Sequence, residues 1–256
     1  MPPSPSTSQG SRLISRVLPV AVKFWLQTQL DDIGDLSFEI QATDRQVLTG
    51  QIPGLALSAQ GAVYKGARIT AVNMQARDIQ INIGQVLRGK PLRLKQAFPI
   101  QGQVVFAGED LAVSSTASVL ADGLLDFWQT LLAKADVAAE VAAHYGPHTM
   151  AWQDLTQYQS KMETAGSGLR LHLISQGEQQ NAPQTPTELC LQGKIAIDQG
   201  QILQLTTAHW GLPSGDWVPS EALRGFSWNL GEHIDVQSLA IENDRLSCQC
   251  AIMVQP

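Results

Sequence analysis

The sequence predicts an α+β protein, in which helices and strands occupy separate regions of the chain instead of alternating. Three observations support this prediction. The pattern of apolar residues changes in the order helix, strands, helices, strands along the chain. Turn residues recur about every eight to twelve positions in the strand regions, as they do in antiparallel meanders. The sequence contains no repeated strand–helix–strand unit and no Gly-rich nucleotide-binding turn.

Length and composition fit one domain that follows a short tail. The chain has 256 residues, 44% of them hydrophobic, which is enough to bury a core. Residues 1–10 are rich in Pro and Ser, so we expect a disordered tail there. Residues 11–256 are expected to form a single domain. Its parts are a helix and sheet (11–107), central helices (108–146) and a second β-rich part (147–256).

The first helix is predicted over residues 11–30 and is amphipathic. Its apolar stripe contains Leu13, Ile14, Val17, Leu18, Ala21, Phe24 and Trp25. The opposite face carries Arg12, Arg16 and Lys23, and no acidic residue occurs among the first thirty residues. A helix that covers a core and a helix that lies in a membrane interface share this pattern, and the first kind is the commoner.

Residues 78–95 carry the most informative pattern in the chain. Ile79, Ile81 and Ile83 alternate with polar residues, which predicts a half-buried strand. After Gly84 come four cations, interleaved with apolar residues that include Val86 and Leu87; the cations are Arg88, Lys90, Arg93 and Lys95. Such a surface suits a ligand with an anionic head and an apolar body. The alternative is an edge strand that its charges protect against mispairing.

The remaining elements follow ordinary periodicities. Residues 110–132 contain a helical stripe that includes Leu124 and Phe127, and an Ala-rich second helix should end at Gly146-Pro147. Beyond it, apolar and polar residues alternate in short runs up to the C-terminus, which predicts strands and a final hairpin.

No constellation of residues indicates catalysis, a metal site or a cofactor. His144 and His148 are separated by Gly-Pro, which prevents a helical metal pair. Ser167 lacks the surroundings of a nucleophile elbow, and Cys248-x-Cys250 lacks a second ligand pair. The sequence therefore predicts a binding protein that is not an enzyme.

Charge and cysteine content indicate which binding partners and which cellular compartment to expect. The net charge of −6 argues against nucleic-acid binding. Residues 1–97 carry eleven Lys and Arg against six Asp and Glu, so this part of the chain could face an anionic surface. Three cysteines, the lack of a membrane-spanning run and the lack of a recognisable signal sequence predict a cytoplasmic protein.

Several stretches resemble the LmeA-like phospholipid-binding proteins. They are V-Y-K-G-A-R-I (63–69), I-N-I-G-Q-V-L-R-G-K-P-L-R-L (81–94), D-L-A-V-S-S-T-A-S-V-L (110–120) and the C-terminal stretch 239–256. The resemblance covers nearly all of the chain from about residue 13. It implies an elongated, β-rich protein that binds phospholipid or a related lipid in an apolar groove without catalysis. It also implies a curved antiparallel sheet that wraps the amphipathic N-terminal helix, similar to the tubular lipid-binding folds.

The lipid-contact residues are our own inference from charge and pattern. Contacts with a lipid headgroup or an anionic membrane are predicted for Arg88, Lys90, Arg93, Lys95, Arg12 and Arg16. Apolar contacts are predicted for Ile79, Ile81, Ile83, Val86, Leu87, Phe24 and Trp25. Named members of the family act in the cell envelope after export, whereas the lack of a signal favours the cytoplasmic face of a membrane here. Two alternatives stay open: a protein-interaction scaffold without lipid, and an accessory to lipid or lipid-linked glycan synthesis. The sequence leaves the oligomeric state undecided.

Overall fold

The computed structural model describes residues 20, 22–24, 28–146, 155–176, 188–231 and 234–256, and within these ranges strands predominate. Two antiparallel sheets contain them. The first sheet has the order β1-β2-β3-β4-β12-β11, with β1 (Asp32–Gln41), β2 (Gln51–Tyr64), β3 (Ala67–Gln80), β4 (Phe98–Ala107), β11 (Ile234–Glu242) and β12 (Arg245–Val254).

The second sheet has the order β10-β8-β7-β6-β5, and β9 also pairs with β8. Its strands are β5 (Tyr158–Ala165), β6 (Gly168–Ser175), β7 (Glu188–Asp198), β8 (Ile202–Gly211), β9 (Trp217–Pro219) and β10 (Ser227–Asn229). The helices are α1 (Asp44–Thr49), α2 (Ile83–Val86), α3 (Gly108–Ser114), α4 (Ser118–Leu132) and α5 (Ala135–Tyr145), with a 3₁₀ turn at Leu155–Gln157. Among the described residues, none of the helices combines the length and the hydrophobicity of a membrane span.

The predicted α+β class, the antiparallel strands and the central helices are confirmed. The resemblance implied a curved antiparallel sheet, and the strands in fact divide into two antiparallel sheets. The final hairpin, β11 and β12, returns to the first sheet and pairs with β4, although some 140 residues separate the two in sequence. The second sheet is built from the strands between α5 and that hairpin.

The predicted N-terminal helix is only partly described. Residues 20, 22–24, 28 and 29 are helical, Val22 is buried, and Phe24 is 66% exposed. Arg12, Arg16 and Trp25 lie outside the described residues, as does the predicted tail 1–10. The wrapping of this helix by the sheet therefore stays a prediction.

The larger of two hydrophobic cores lies among α3, α4, α5, the second sheet and one end of the first sheet. Trp128 and Trp210 are fully buried in it and stack at 6.5 Å between ring centroids. The Trp128 Nε1–H donates to the buried Ser160 Oγ at 3.0 Å, which satisfies both polar groups where water has no access. Ile241 and Leu246 join the first sheet to this core.

The smaller core lies at the other end of the first sheet, beneath α1 and α2. Its buried members are Val22, Val47, Ile52, Ala76, Ile79, Ile81, Ile83 and Phe98. The Ile81 N–H donates to the Gly50 carbonyl at 2.8 Å and so ties the segment after β3 to the end of α1. We call α1, α2 and residues 87–95 together the basic end.

Candidate functional site

An apolar groove lies between α4 and the second sheet. Its volume of about 390 Å³ falls within the usual size of small-molecule sites. Its lining consists of apolar residues and glycines: Val119, Leu120, Gly123, Leu124, Phe127, Met162, Leu169, Leu171, Leu191, Gly193, Ile195, Leu203, Leu205, Trp228, Leu230 and Ile234. They come from α4, from six strands (β5, β6, β7, β8, β10 and β11) and from the loop between β10 and β11.

The helical side of the groove follows from the periodicity of α4. Leu120, Leu124 and Phe127 recur at spacings of four and three, so they share one face of the helix and turn toward the sheet. Gly123 lies on the same side and leaves room there. A Cβ atom added at this position would meet only the Trp228 Cη2 atom, at 4.0 Å.

The strand side follows from the alternation of β6 and β7. Leu169, Leu171 and Leu191 point to the groove, whereas the residues between them point to the opposite face. Trp228 on β10 contributes the aromatic wall. Its Nε1–H donates to the Asp126 Oδ2 at 3.0 Å, so the indole is held by α4 itself.

The chemistry of the groove is that of a hydrocarbon surface. Among the described residues that line it, none has a charged side chain, and the only polar side-chain atom, the Trp228 Nε1, is already bonded to Asp126. Such a lining supplies burial for methylene groups and no hydrogen bonds to orient a polar ligand.

The predicted basic segment lies elsewhere, at the basic end. Ile79, Ile81 and Ile83 are 1–4% exposed and belong to the smaller core. Val86 is half-buried against that core, and Leu87 is 49% exposed. The strand predicted through residue 83 is wrong at its end, since β3 stops at Gln80 and Ile83 begins α2. The buried face persists because the turn keeps all three isoleucines directed inward.

Asn82 determines the conformation of the segment that carries the cations. Its side-chain Nδ2 donates to the Pro91 carbonyl at 3.0 Å and to the Gln85 Oε1 at 3.1 Å. Its Oδ1 accepts from the Arg93 N–H at 2.7 Å, and the Lys95 N–H donates to the Gln80 carbonyl at 2.9 Å. The loop is therefore held at its middle by Asn82, which follows β3, and at its end by Gln80, the last residue of β3.

The cations of this loop face solvent. Arg88, Lys90, Arg93 and Lys95 are all exposed. The ion pairs found among the described residues involve none of them. With Arg45 of α1, the basic end carries five Lys and Arg against one acid, Asp44.

Exposed apolar side chains accompany these charges. Leu48 of α1 is 54% exposed, like Leu87 just after α2. The two helices are close, since a Cβ atom built at Gly50 would lie 3.5 Å from the Ile83 Cγ2. β3 pairs with β2 along its length but with β4 only over Ala71–Ala76, so the alternative of a charged edge strand stays open for residues 78–95. The basic end thus combines exposed cations with exposed leucines.

A comparison with protein-family models matches residues 10–251 to the family described as LmeA-like phospholipid-binding. This chain belongs to that family. Searches of the curated proteins and of the solved structures returned no match. Membership confirms the resemblance seen in the sequence and supports a phospholipid as the ligand. The family's description fits a protein that is not an enzyme.

A second, polar pocket of about 600 Å³ lies on the opposite face of the second sheet, and its lining includes Arg170, His172, Glu188 and Cys190. The Arg170 Nη1 pairs with the Glu163 Oε1 at 2.8 Å, and His172 lies between Glu163 and Glu188. Burial raises the pKa of the Cys190 thiol to about 11, so this thiol is protonated at neutral pH and is a poor nucleophile. Within the described ranges, no three His, Cys, Asp or Glu side chains are arranged to hold a metal.

The resemblance implied an apolar groove, but the apolar contact residues predicted from the sequence do not line this one within the described part of the chain. The stripe of Leu124 and Phe127 predicts the apolar face of a helix, and the alternating runs beyond Gly146-Pro147 predict strands. A fully packed core would give the same patterns. The sequence signal that distinguishes a groove here is Gly123, a small residue within the stripe that leaves space beside the helix.

Proposed function

We propose that this protein binds a phospholipid without catalysis and holds an acyl chain in the groove between α4 and the second sheet. The wholly apolar lining of the groove carries this proposal. An acyl chain needs no hydrogen bonds and gains free energy from burial of about 0.8 kcal/mol per methylene. Ten buried methylenes would contribute about 8 kcal/mol before the cost of ordering the chain. The headgroup, which the groove has no groups to bind, would stay at the mouth.

The basic end supports the second part of the proposal, a weak attachment to an anionic membrane on its cytoplasmic face. Each cation near an anionic leaflet contributes about 1 kcal/mol, so Arg88, Lys90, Arg93 and Lys95 together give a salt-sensitive attraction. Leu48 and Leu87 lie among these charges and would enter the interface between headgroups and acyl chains. Arg12 and Arg16, if they face the same way, would add to the attraction.

Lipid extraction and mass spectrometry of the purified protein test the proposal directly. We expect a phospholipid to be recovered with the protein, and the protein to sediment with vesicles that contain phosphatidylglycerol at low salt. A clean, lipid-free protein that also ignores these vesicles would refute the proposal. That outcome is the one expected of a protein-interaction scaffold.

A further inference from the structure

Several rows of apolar residues cross one face of the first sheet, and one of them connects the smaller core with the groove. Its members are paired directly across neighbouring strands, so their side chains project from the same face of the sheet. From β1 to β11 the row is Ile40, Leu55, Ala76, Ile100, Ile252 and Ile234.

The two ends of the row belong to different sites. Ile40, Leu55, Ala76 and Ile100 pack in the smaller core beneath the basic end. Ile234 lines the groove. Neighbouring strands are about 4.8 Å apart, so only about 10 Å separate Ile100 from Ile234.

Ile252 is the link between them and is 38% exposed. It pairs with Ile100 on one side and with Ile234 on the other. A single exposed isoleucine is common on protein surfaces. Ile252, however, is part of a continuous apolar surface, because both of its cross-strand neighbours are apolar. Ile100 belongs to the smaller core and Ile234 to the groove.

The other face of the same sheet provides a contrast. Gln249 lies three residues before Ile252 on β12, so its side chain projects from the other face. The row through Gln249 crosses all six strands and consists of exposed polar residues: Ser37, Ser58, Asn73, Gln103, Gln249 and Ser238. A hydrocarbon chain would have to displace water from these polar groups without replacing their hydrogen bonds. Only one face of the sheet therefore offers an apolar route between its two ends.

We propose that the segment Ile100–Ile252–Ile234 is the portal through which an acyl chain passes between a membrane at the basic end and the groove. This inference rests on the proposed function, since it requires both the membrane attachment and the lipid in the groove. A chain in transit keeps its methylenes on apolar side chains over the 10 Å between the two sites. The portal makes the protein a lipid exchanger and gives Ile252 a role in the rate of exchange.

The test compares two neighbouring exposed residues of β12, Ile252→Asp and Met253→Asp. Met253 is 43% exposed, is the next residue of β12, pairs with Pro99 of β4 and points to the polar face. The probe is a fluorescent phosphatidylglycerol, and its transfer from labelled to unlabelled anionic vesicles is followed in time. We expect Ile252→Asp to slow transfer at least tenfold, while its equilibrium lipid occupancy and vesicle binding match those of wild type. Met253→Asp should transfer at the wild-type rate.

Further variants separate a block of the route from a damaged fold. Ile252→Asn introduces a polar side chain without a charge and should also slow transfer. Ile252→Leu keeps the side chain apolar and should transfer lipid at the wild-type rate. Equal rates for Ile252→Asp and Met253→Asp in folded protein would overturn the portal. So would a slow rate that is explained entirely by lost vesicle binding. A wild-type protein that takes up no probe would instead refute the proposed function itself, and the portal with it.

Discussion

Asn82 and Arg93 are joined by two hydrogen bonds. The Arg93 N–H donates to the Asn82 Oδ1 at 2.7 Å, and the Asn82 N–H donates to the Arg93 carbonyl at 3.2 Å. Asn82 stands between Ile81 and Ile83, which are buried in the smaller core, so the cationic loop is attached directly to that core. The hydrogen bonds of Asn82 thereby fix the loop that carries the cations to the smaller core.

Asn82→Ala should loosen the cationic loop while most of the fold persists. The substitution leaves the Arg93 N–H and the Pro91 carbonyl without their side-chain partner, which costs about 1–3 kcal/mol of unfolding free energy. Limited trypsin digestion should cleave after Arg88 and Arg93 faster than in wild type, whereas the Lys90–Pro91 bond resists trypsin in both proteins. Asn73→Ala, an exposed change on β3, is the control, and equal digestion of the two variants would contradict this account of the loop.

Reversal of the four loop cations to Glu should abolish binding to anionic vesicles. Each cation contributes about 1 kcal/mol, so the loss of all four attractions should lower the binding constant at low salt about a thousandfold. Vesicle co-sedimentation at several salt concentrations measures it.

A matched control changes the same total charge at exposed sites outside the basic end. Lys161, Lys194, Arg224 and Arg245 are all exposed and can be reversed together. If the loop variant binds as well as this control, the cations serve only solubility and the attachment must lie elsewhere.

Substitutions at Gly123 should separate the stability of α4 from the capacity of the groove. Gly123→Ala adds only a methyl group in open space and should raise the unfolding free energy by up to about 1 kcal/mol, because Gly is a poor helix former. Gly123→Leu fills the space beside Trp228 and should lower the phospholipid recovered per protein at least tenfold. Urea unfolding and lipid extraction measure the two effects. Equal lipid recovery from the two variants would exclude this groove as the site.

The stability of the second sheet should fall in alkaline solution. Burial raises the pKa of Tyr145 from 10.0 to about 12 and that of Cys190 from 9.0 to about 11. The unfolded chain therefore loses these protons first as the pH rises, and the stabilisation present below pH 9 is lost progressively up to about pH 12.

Urea unfolding at pH 8 and pH 10.5 checks this dependence. The double variant Tyr145→Phe with Cys190→Ala should show a smaller loss between the two pH values. At pH 8 it should already be less stable by about 1 kcal/mol, since the Tyr145 hydroxyl no longer donates to the Gly211 carbonyl. Tyr64→Phe controls for the removal of a phenol, and an equal alkaline loss in all three proteins would refute the assignment.

Much of the local structure follows from the sequence. The spacing of Leu124 and Phe127 predicted α4, Gly146 ends α5 as expected, and the alternation of Ile79, Ile81 and Ile83 correctly placed their side chains on one buried face. These features depend on neighbours within a few residues. The end of β3 was missed because it is set by the hydrogen bonds of Asn82 to Pro91 and Arg93, about ten residues away.

The sequence by itself determined the order of helices and strands, the inward face of each, the family and the cluster of cations after β3. Only the tertiary structure decided that there are two sheets, that the groove opens beside Gly123, and that Ile252 lies between Ile100 and Ile234. The physical reason is that periodicity specifies which side chains share a face but not what that face meets. Whether an apolar face is packed or left open depends on contacts between segments that are more than a hundred residues apart, such as β4 with β12.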